Sequence, residues 1–247
     1  MRDPSTPSTR FGSVPQPFAS KNGSGTELPF EPRQLTRKEE RRGDLYLYHS
    51  PRLGRTVAVI GVPSLALALE LEFDSETTGF VERPRTLSYR DAEIELTFWQ
   101  QERSGRERFH YFVANASKEI EQKSRRRQHR NARDIIEAAN AAGINLQFVF
   151  EDEILTKAAS IGTWFRLLPF VQTALTLPHR YSVKERLLEA LATQPRMTFD
   201  QAEAALTGVH PADVRAVACA LVHAGTLIID PTKPLSRHTV VELRSAV

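Results

Sequence analysis

The sequence predicts an α/β fold in which a mixed sheet is flanked by helices and followed by a small, mainly helical domain. Short β-branched or alternating segments between residues 55 and 150 are typical of strands. One Ala- and Leu-rich segment and one longer segment in the same region favour helices, which would cover the sheet. After Pro178 the pattern changes to short helices separated by turn residues, which indicates a second domain.

The composition is ordinary for a globular protein, with 40% hydrophobic and 26% charged residues. No apolar run approaches the roughly 18 residues that span a bilayer, and no apolar signal region is present, so we expect a cytoplasmic protein without membrane contact. The single cysteine, Cys219, can form no internal disulfide and is interpreted as a small buried hydrophobe. A net charge of +3 permits contact with nucleic acid without requiring it.

Residues 1–44 are rich in Pro, Ser, Gly and charged residues, and such a segment buries too little apolar surface to offset its ordering entropy. We therefore predict a flexible N-terminal arm, whose residues 37–42 could form a charged helical turn. The remaining chain divides at Pro178 into a domain of residues 45–177 and a domain of residues 178–247.

The first domain reads as β-α-β-β-β-α-β with trailing helices. Pro63 suits the first turn of the first helix, and Gly143 suits the end of the long second helix. The turn signal at 103–106 makes the two strands around it a hairpin. The predicted strands are 55–60, 80–89, 92–99, 108–114 and 144–150, and the predicted helices are 62–71, 118–142, 151–159 and 162–175.

The second domain has three predicted helices, 182–193, 198–206 and 211–224, followed by strands 226–229 and 238–243. Ser182 and Thr198 are candidate N-caps because each has Glu or Gln three residues later, as a capping box requires. Three helices followed by a β-hairpin is a winged-helix pattern.

Several motifs, in their order, resemble those of TnsA-type endonuclease subunits of heteromeric transposons. Glu72-Phe73-Asp74 followed by Phe80-Val81-Glu82-Arg83-Pro84 is similar to that family's "EFD … F-x-E-Q-P", with Arg83 in place of Gln. Gly143, the strand ending at 150 and the segment 151–154 are similar to its "G-x-x-F-x-V-V-T-x-x-x-I". The resemblance covers about residues 52–243 and implies a restriction-endonuclease-like core with a C-terminal winged helix.

The resemblance also implies metal-dependent DNA cleavage, in which carboxylates hold Mg²⁺ and the metal activates water. One acid is expected within 61–66, an Asp within 97–99, and a Glu and Lys within 112–115. None of these segments contains the expected acid or lysine. We therefore expect no catalytic residue, no metal ligand and no cofactor, with Mg²⁺ required only if the chain is an active nuclease.

Other acids keep the alternative of an active nuclease open. Glu93 and Glu95 alternate on a strand and so share a face, which the solvent would normally take because Ile94 and Leu96 occupy the other face. The acids that could act in a relocated site are Glu70, Glu72, Asp91, Glu93 and Glu95.

The strongest charge feature lies within the predicted helix 118–142. At 100° per residue, five basic side chains fall in one arc of about 120°, opposite Ala132, Ile135, Ile136 and Ala139. Such a stripe suits contact with DNA phosphates. The predicted DNA-binding residues are Lys123, Arg126, Arg127, Arg130 and Arg133.

These observations predict a TnsA-like pseudonuclease, a subunit that keeps a nuclease fold without its metal-binding acids. The resemblance implies double-stranded DNA at transposon ends, a DDE-type transposase subunit and an AAA+ transposition regulator as partners. The predicted third helix of the winged-helix pattern offers only Asp213, Arg215 and His223 among alanines, which favours protein docking over base reading. The alternatives are an active endonuclease with relocated acids and a winged-helix DNA-binding regulator unconnected with transposition.

Overall fold

The computed structural model describes residues 28–120 and 127–244, which form an α/β structure with a mixed sheet, as predicted. In chain order the elements are α1 (Arg37–Arg42), β1 (Leu45–Ser50), β2 (Arg55–Ile60), α2 (Val62–Phe73), β3 (Thr77–Glu82), β4 (Thr86–Tyr89), β5 (Ala92–Glu95), β6 (Phe98–Glu102), β7 (Glu107–Val113), β8 (Lys118–Ile120), β9 (Arg127–His129), α3 (Ala132–Ala141), β10 (Leu146–Phe150), α4 (Glu151–Thr156), α5 (Ala158–Thr176), α6 (Arg180–Thr193), β11 (Arg196–Thr198), α7 (Phe199–Ala205), α8 (Pro211–His223), β12 (Leu227–Ile228) and β13 (Val240–Leu243).

The central sheet has four strands in the order β10-β7-β6-β3. Strands β3, β6 and β7 pair antiparallel, whereas β10 pairs parallel to β7 after the crossover through α3, because a parallel pair cannot be joined by a tight turn. Helix α2 packs on one face, against Phe80 and Phe98. Helix α3 covers the other face through Ile135, which packs with Trp99 and Phe109. The predicted hairpin across residues 103–106 is confirmed as β6–β7.

Two predicted strands are interrupted near Pro84. The predicted strand 80–89 divides into β3 and β4, because Arg83 has φ +49° and Pro84 has no N–H to donate to a ladder. The predicted strand 92–99 divides in the same way into β5, which pairs with β4, and β6, which joins the central sheet. The backbone N–H of Arg83 donates to the carbonyl of Thr97 at this break, so the two kinks support each other.

The prediction of one continuous helix over residues 118–142 is wrong. Strands β8 and β9 pair antiparallel, and the helix begins only at Ala132. Like charges three or four positions apart destabilise a helix, and the basic residues before Ala132 have that spacing. The amphipathic part of the segment, with Ile135 and Ala139 buried, is the part that is helical.

The described part of the predicted arm, residues 28–44, is packed against the domain that follows. Phe30 lies edge-on to Trp99 and Phe109, with ring centroids 5.6 Å and 5.5 Å apart. Residues 37–42 form the expected charged helical turn, and Thr36 caps it in a capping box with Glu39. The folded region therefore begins before residue 45, because the aromatic ring of Phe30 buries apolar surface that the average composition of residues 1–44 conceals.

Helix α5 and the C-terminal elements share one apolar core. Leu167 of α5, Leu187 of α6 and Val214 of α8 belong to a single cluster, which also includes Leu69 and Phe73 of α2. Cys219 is fully buried in it, and burial raises the pKa of its thiol. Strands β11, β13 and β12 form a three-stranded antiparallel sheet beside these helices.

Of the two predicted helix caps in this region, only Thr198 is confirmed. Its side chain accepts a hydrogen bond from the backbone N–H of Gln201, and the reciprocal bond completes the capping box. Ser182 lies inside α6, which begins two residues earlier at Arg180, and its hydroxyl donates to the carbonyl of His179.

A buried chain of polar side chains crosses the α2 side of the sheet. His110 on β7 is 5% exposed, and its Nε2 lies 2.8 Å from Oε1 of Gln100. The amide nitrogen of Gln100 donates to Thr77 Oγ1 at 2.7 Å, and Thr77 donates to Asp74 at 2.8 Å. Burial, with a smaller contribution from Arg108, lowers the pKa of His110 to about 4, so its imidazole is neutral in the folded protein at neutral pH.

The protein is expected to lose stability as the pH falls from about 6.5 to about 4. In this range His110 becomes protonated in the unfolded chain but stays neutral in the folded chain. The pKa difference corresponds to about 3 kcal/mol in the free energy of unfolding. Urea unfolding across this pH range should therefore show a shallower loss for His110→Gln than for the unmodified protein. The exposed His238→Gln is the matched control, and equal pH dependence in all three proteins would contradict the prediction.

Candidate functional site

Three separate chain segments meet at one end of the central sheet. The first turn of α2 contributes Ser64, the start of β6 contributes Thr97 and Phe98, and the end of β7 contributes Phe112. Together with α1 and β2 they line a cleft of about 220 Å³, here called the sheet-end cleft. These are the segments in which the resemblance places its acids, namely 61–66, 97–99 and 112–115. The structure thus brings the three expected positions together.

The side chains at these positions are not metal ligands of the expected kind. Thr97 uses its hydroxyl oxygen to accept a hydrogen bond from the backbone N–H of Phe112, at 2.9 Å. Ser64 offers a neutral hydroxyl, and Phe98 and Phe112 offer no polar atom. Because Mg²⁺ prefers carboxylate oxygens, these residues do not fit the ion that the resemblance implies.

The sheet-end cleft does contain three carboxylates, but each of them contacts an arginine. Glu82 on β3 is 3% exposed and makes a two-bond pair with Arg55, at 2.8 Å and 2.7 Å. The guanidinium of Arg33 contacts both Glu95 of β5 and Glu39 of α1. Hydrogen bonds from Arg33, and then from Thr36, lower the pKa of Glu39 to about 2. Cationic side chains therefore already neutralise the carboxylates that a metal ion would need.

A third arginine, Arg83, also lines the sheet-end cleft. Arg83 donates to the carbonyls of Ala58 and Arg33, at 2.6 Å and 3.0 Å. Burial lowers the pKa of its guanidinium from the ordinary value, with the nearby carboxylates opposing this effect. Arg83 is the residue that replaces Gln in the resembled motif, and it adds positive charge where the nuclease chemistry would need a cation site.

The sequence analysis did not identify Arg33 and Arg55 as residues of this site. Arg33 lies 62 positions from Glu95, and Arg55 lies 27 positions from Glu82. No local pattern signals a pair over such a distance. Glu82 belongs to the motif at residues 80–84 and lies at the end of a hydrophobic strand. A charged side chain at such a position is the one sequence feature that predicts a buried ion pair.

The acids considered for a relocated site do not come together. Glu70 pairs with Lys157, Glu72 is fully buried elsewhere, and Glu93 lies exposed near Ser88 on the β4–β5 hairpin. Glu95 is held by Arg33, and Asp91 is exposed in the turn before β5. Within residues 28–120 and 127–244, no three His, Cys, Asp or Glu side chains are grouped so that they could hold a metal ion.

The predicted basic stripe does not exist as one face of a helix. Lys123 and Arg126 lie outside the described residues, and the backbone of Arg127 belongs to β9. Arg130 follows β9, with its backbone N–H bonded to Ser117. Only Arg133 lies on α3, where its side chain is 90% exposed and pairs with Glu137 at 3.0 Å. What remains is a basic chain segment, 123–133, which contains no acid.

Helix α8, which a winged-helix protein would place in the DNA groove, is enclosed by other helices. Seven of its 13 residues are buried, and it packs against α2, α5, α6 and α7. Its polar side chains have partners within the chain. Asp213 bonds to His179 at 3.0 Å, Arg215 pairs with Glu203 and His223 pairs with Glu72. This helix therefore has no free polar face with which to read bases.

His223 and Glu72 connect α8 to α2 through a buried carboxylate. Glu72 accepts hydrogen bonds from Ser50 Oγ at 2.5 Å, from the backbone N–H of Arg52 at 3.0 Å and from His223 Nε2 at 2.7 Å. The guanidinium of Arg52 donates to the carbonyls of Glu72, Asp74 and Thr77, which close the C-terminal end of α2. A carboxylate buried in this way is tolerated because both of its oxygens accept hydrogen bonds.

Comparison of the chain with protein-family models finds no match, and comparison with curated proteins finds none either. Among the described residues, no helix combines the length and the apolar character needed to cross a membrane.

Replacing Glu72 with alanine is expected to lower the free energy of unfolding by about 3–5 kcal/mol, because three donors, of which Ser50 is fully buried, lose their acceptor. Glu70→Ala on the same helix is the matched control, since Glu70 pairs with the half-exposed Lys157 and should cost less than about 1 kcal/mol. Urea unfolding of the two variants measures the difference. Similar values for both would show that the buried carboxylate contributes no more than a surface ion pair.

Proposed function

We propose that this chain is a TnsA-like, catalytically inactive subunit of a DNA transposition complex. The observation that carries the proposal is the sheet-end cleft. Three segments chosen from the motif resemblance meet there, yet they hold Ser64, Thr97 and Phe112 instead of acids. Segments 97–99 and 112–115 are brought together by the β6–β7 hairpin, so the informative observation is that segment 61–66, more than 30 residues earlier, meets them in the same cleft.

The order of elements supports a restriction-endonuclease-like core. Helix α2 precedes three antiparallel strands, β3, β6 and β7, and helix α3 then leads to β10, which is parallel to β7. The C-terminal order of α6, β11, α7, α8, β12 and β13, with its small antiparallel sheet, supports the winged-helix part of the proposal. Because a fold does not by itself assign a function, the proposal rests on the sheet-end cleft.

The electrostatics of the cleft support the loss of catalysis. Metal-dependent phosphodiester cleavage needs carboxylates that are free to bind a divalent cation. Here Arg55 and Arg33 occupy the carboxylates of Glu82, Glu95 and Glu39. The guanidinium groups balance the charge of these acids as a divalent metal ion would, but they cannot activate water.

DNA contact in this proposal comes from the basic segment 123–133. In the described part of this segment, residues 127–129 form β9 and Arg133 lies in the first turn of α3, so these residues would approach the phosphate backbone from a strand and a helix start, not as one helix face. The DNA-binding residues stay those predicted from the sequence, namely Lys123, Arg126, Arg127, Arg130 and Arg133.

The partners of the proposed subunit are transposon-end DNA, a DDE-type transposase and an AAA+ regulator. Since α8 is enclosed and its polar groups are paired, the C-terminal region serves protein docking in this proposal and does not read bases.

The unmodified protein is expected neither to bind Mn²⁺ in calorimetry nor to nick supercoiled plasmid with Mg²⁺ or Mn²⁺. Ser64→Glu combined with Thr97→Asp should create Mn²⁺ binding, because both positions line the sheet-end cleft and the variant adds two carboxylates that are not already paired with an arginine. A pair of equal composition at exposed positions away from the cleft, Ser104→Glu with Thr207→Asp, is the control and should bind no metal.

Two results would contradict this part of the proposal. Plasmid nicking by the unmodified protein that disappears in Glu93→Ala or Glu95→Ala would identify an active nuclease. Failure of the Ser64 and Thr97 double variant to bind Mn²⁺ while folding normally would mean that the cleft is not a former metal site.

Changing Arg126, Arg127 and Arg130 to alanine is expected to weaken binding to duplex DNA and to lower the slope of log affinity against log salt by about 2 to 3, since each phosphate contact contributes about 0.9. Fluorescence anisotropy over a series of salt concentrations measures both quantities. Alanines at the exposed Arg106, Lys184 and Arg196 form the control. If both triple variants keep the original slope, the segment does not contact DNA.

A further inference from the structure

A second, larger cleft lies at the other end of the same sheet face. It has a volume of about 530 Å³ and is bounded by the end of α2, the middle of β6, the start of β7, and α4. We call it the α2-end cleft. Five carboxylates line it, together with Arg108 and His110. Trp164 and Phe73 supply aromatic surface.

The α2-end cleft carries an excess of negative charge. Two of its five carboxylates are paired, Glu70 with Lys157 at 3.0 Å and Glu102 with Arg108 at 2.7 Å. Asp74, Glu76 and Glu153 have no cationic partner among the described residues. An acidic surface of this kind attracts a cation.

His110 provides an independent sign of a missing ligand group. The amide nitrogen of Gln100 donates to Thr77, so Gln100 Oε1 is the acceptor that faces His110, and the imidazole must carry its proton on Nε2. Its Nδ1 is then an acceptor, and it is buried without a partner among the described residues. Two residues earlier on the same strand face, Arg108 Nε is a buried donor that also lacks a partner.

Buried polar atoms in native proteins are nearly always paired, so two unpaired atoms beside one cleft require an explanation. The ligand that satisfies them must donate toward His110 and accept from Arg108. It must also carry positive charge for Asp74 and Glu76. A planar cation would in addition suit the indole of Trp164, which stacks on Phe73 with ring centroids 4.9 Å apart and is partly exposed.

We propose that the α2-end cleft binds a guanidinium-bearing ligand with the chemistry of an arginine residue. Its guanidinium contacts Asp74 and Glu76, its amide N–H donates to His110 Nδ1, and its amide carbonyl accepts from Arg108 Nε. A bare divalent cation fits less well, because no three acids of the described chain surround one point. The site is separate from the sheet-end cleft, so it does not depend on the transposition proposal.

The test uses the full chain and the fluorescence of Trp164. The protein has two tryptophans, and Trp99 is fully buried away from the cleft, so a ligand-induced change should come from Trp164 and vanish in Trp164→Phe. The probe is N-acetyl-argininamide, and N-acetyl-citrullinamide is its neutral isostere. We expect the arginine compound to bind in the millimolar range or tighter, and the citrulline compound about tenfold more weakly.

The variant series separates charge from folding. Glu76→Gln alters an exposed side chain and should weaken binding roughly threefold, and Asp74→Asn combined with it should weaken binding about tenfold. Glu185→Gln, an exposed acid on α6, is the matched control and should leave binding unchanged. Equal binding of the two compounds, no binding of either, or a response to Mn²⁺ in place of the arginine compound would each overturn the proposal.

Discussion

The buried carboxylate of Glu72 holds the two halves of the molecule in their relative positions. It lies on α2, the helix that covers the central sheet, and it accepts from Ser50 of β1 and from His223 of α8. Around it, Gly225 approaches so closely that a Cβ there would lie 2.5 Å from Ser75, and Arg244 donates to the hydroxyl of Ser75 at 2.7 Å. Separation of the halves would break the hydrogen bond between His223 and this carboxylate and would expose the apolar cluster that Leu69 and Phe73 share with the C-terminal helices.

The two ends of the sheet face differ in how their charge is balanced. At the sheet-end cleft every carboxylate meets an arginine from a distant part of the chain. At the α2-end cleft, Asp74 and Glu76 have no cationic partner within residues 28–120 and 127–244, and in the same part of the chain Arg108 Nε and His110 Nδ1 have no hydrogen-bond partner. The charges of the first cleft are balanced within the protein itself. The proposed arginine-like ligand would balance those of the second.

Sequence reasoning was most successful where a local pattern determines the structure. Strand β2, helix α2, the β6–β7 hairpin and the capping box at Thr198 follow from β-branching, helix propensity, turn residues and cap spacing. It failed where distant contacts override a pattern. Residues 118–120 and 127–129 lie in a segment that was predicted as a helix but pair as antiparallel strands, and Phe30, in a segment of disordered composition, packs on Trp99.

The candidate site was predictable only in part, for the same reason. The three positions that lack the expected acids could be located from motif spacing, because the motifs lie on regular elements that meet at one end of the sheet. The arginines that pair with the carboxylates of the site could not be predicted. Arg33 is 62 positions from Glu95, and Arg55 is 27 positions from Glu82. The enclosed state of α8 was equally inaccessible, because its alanine-rich sequence suits a buried helix and an exposed one alike.

The apolar cluster that joins Leu69 and Phe73 to the helices of the C-terminal region limits how this chain could evolve by recombination. A winged helix that merely followed a linker could be exchanged for another without harm to its neighbour. Here an exchange would remove the side chains that cover the end of α2 and would leave Leu69, Phe73 and Glu72 facing solvent. The C-terminal region can therefore be replaced only together with α2, whereas substitutions confined to its outer surface leave the shared cluster intact.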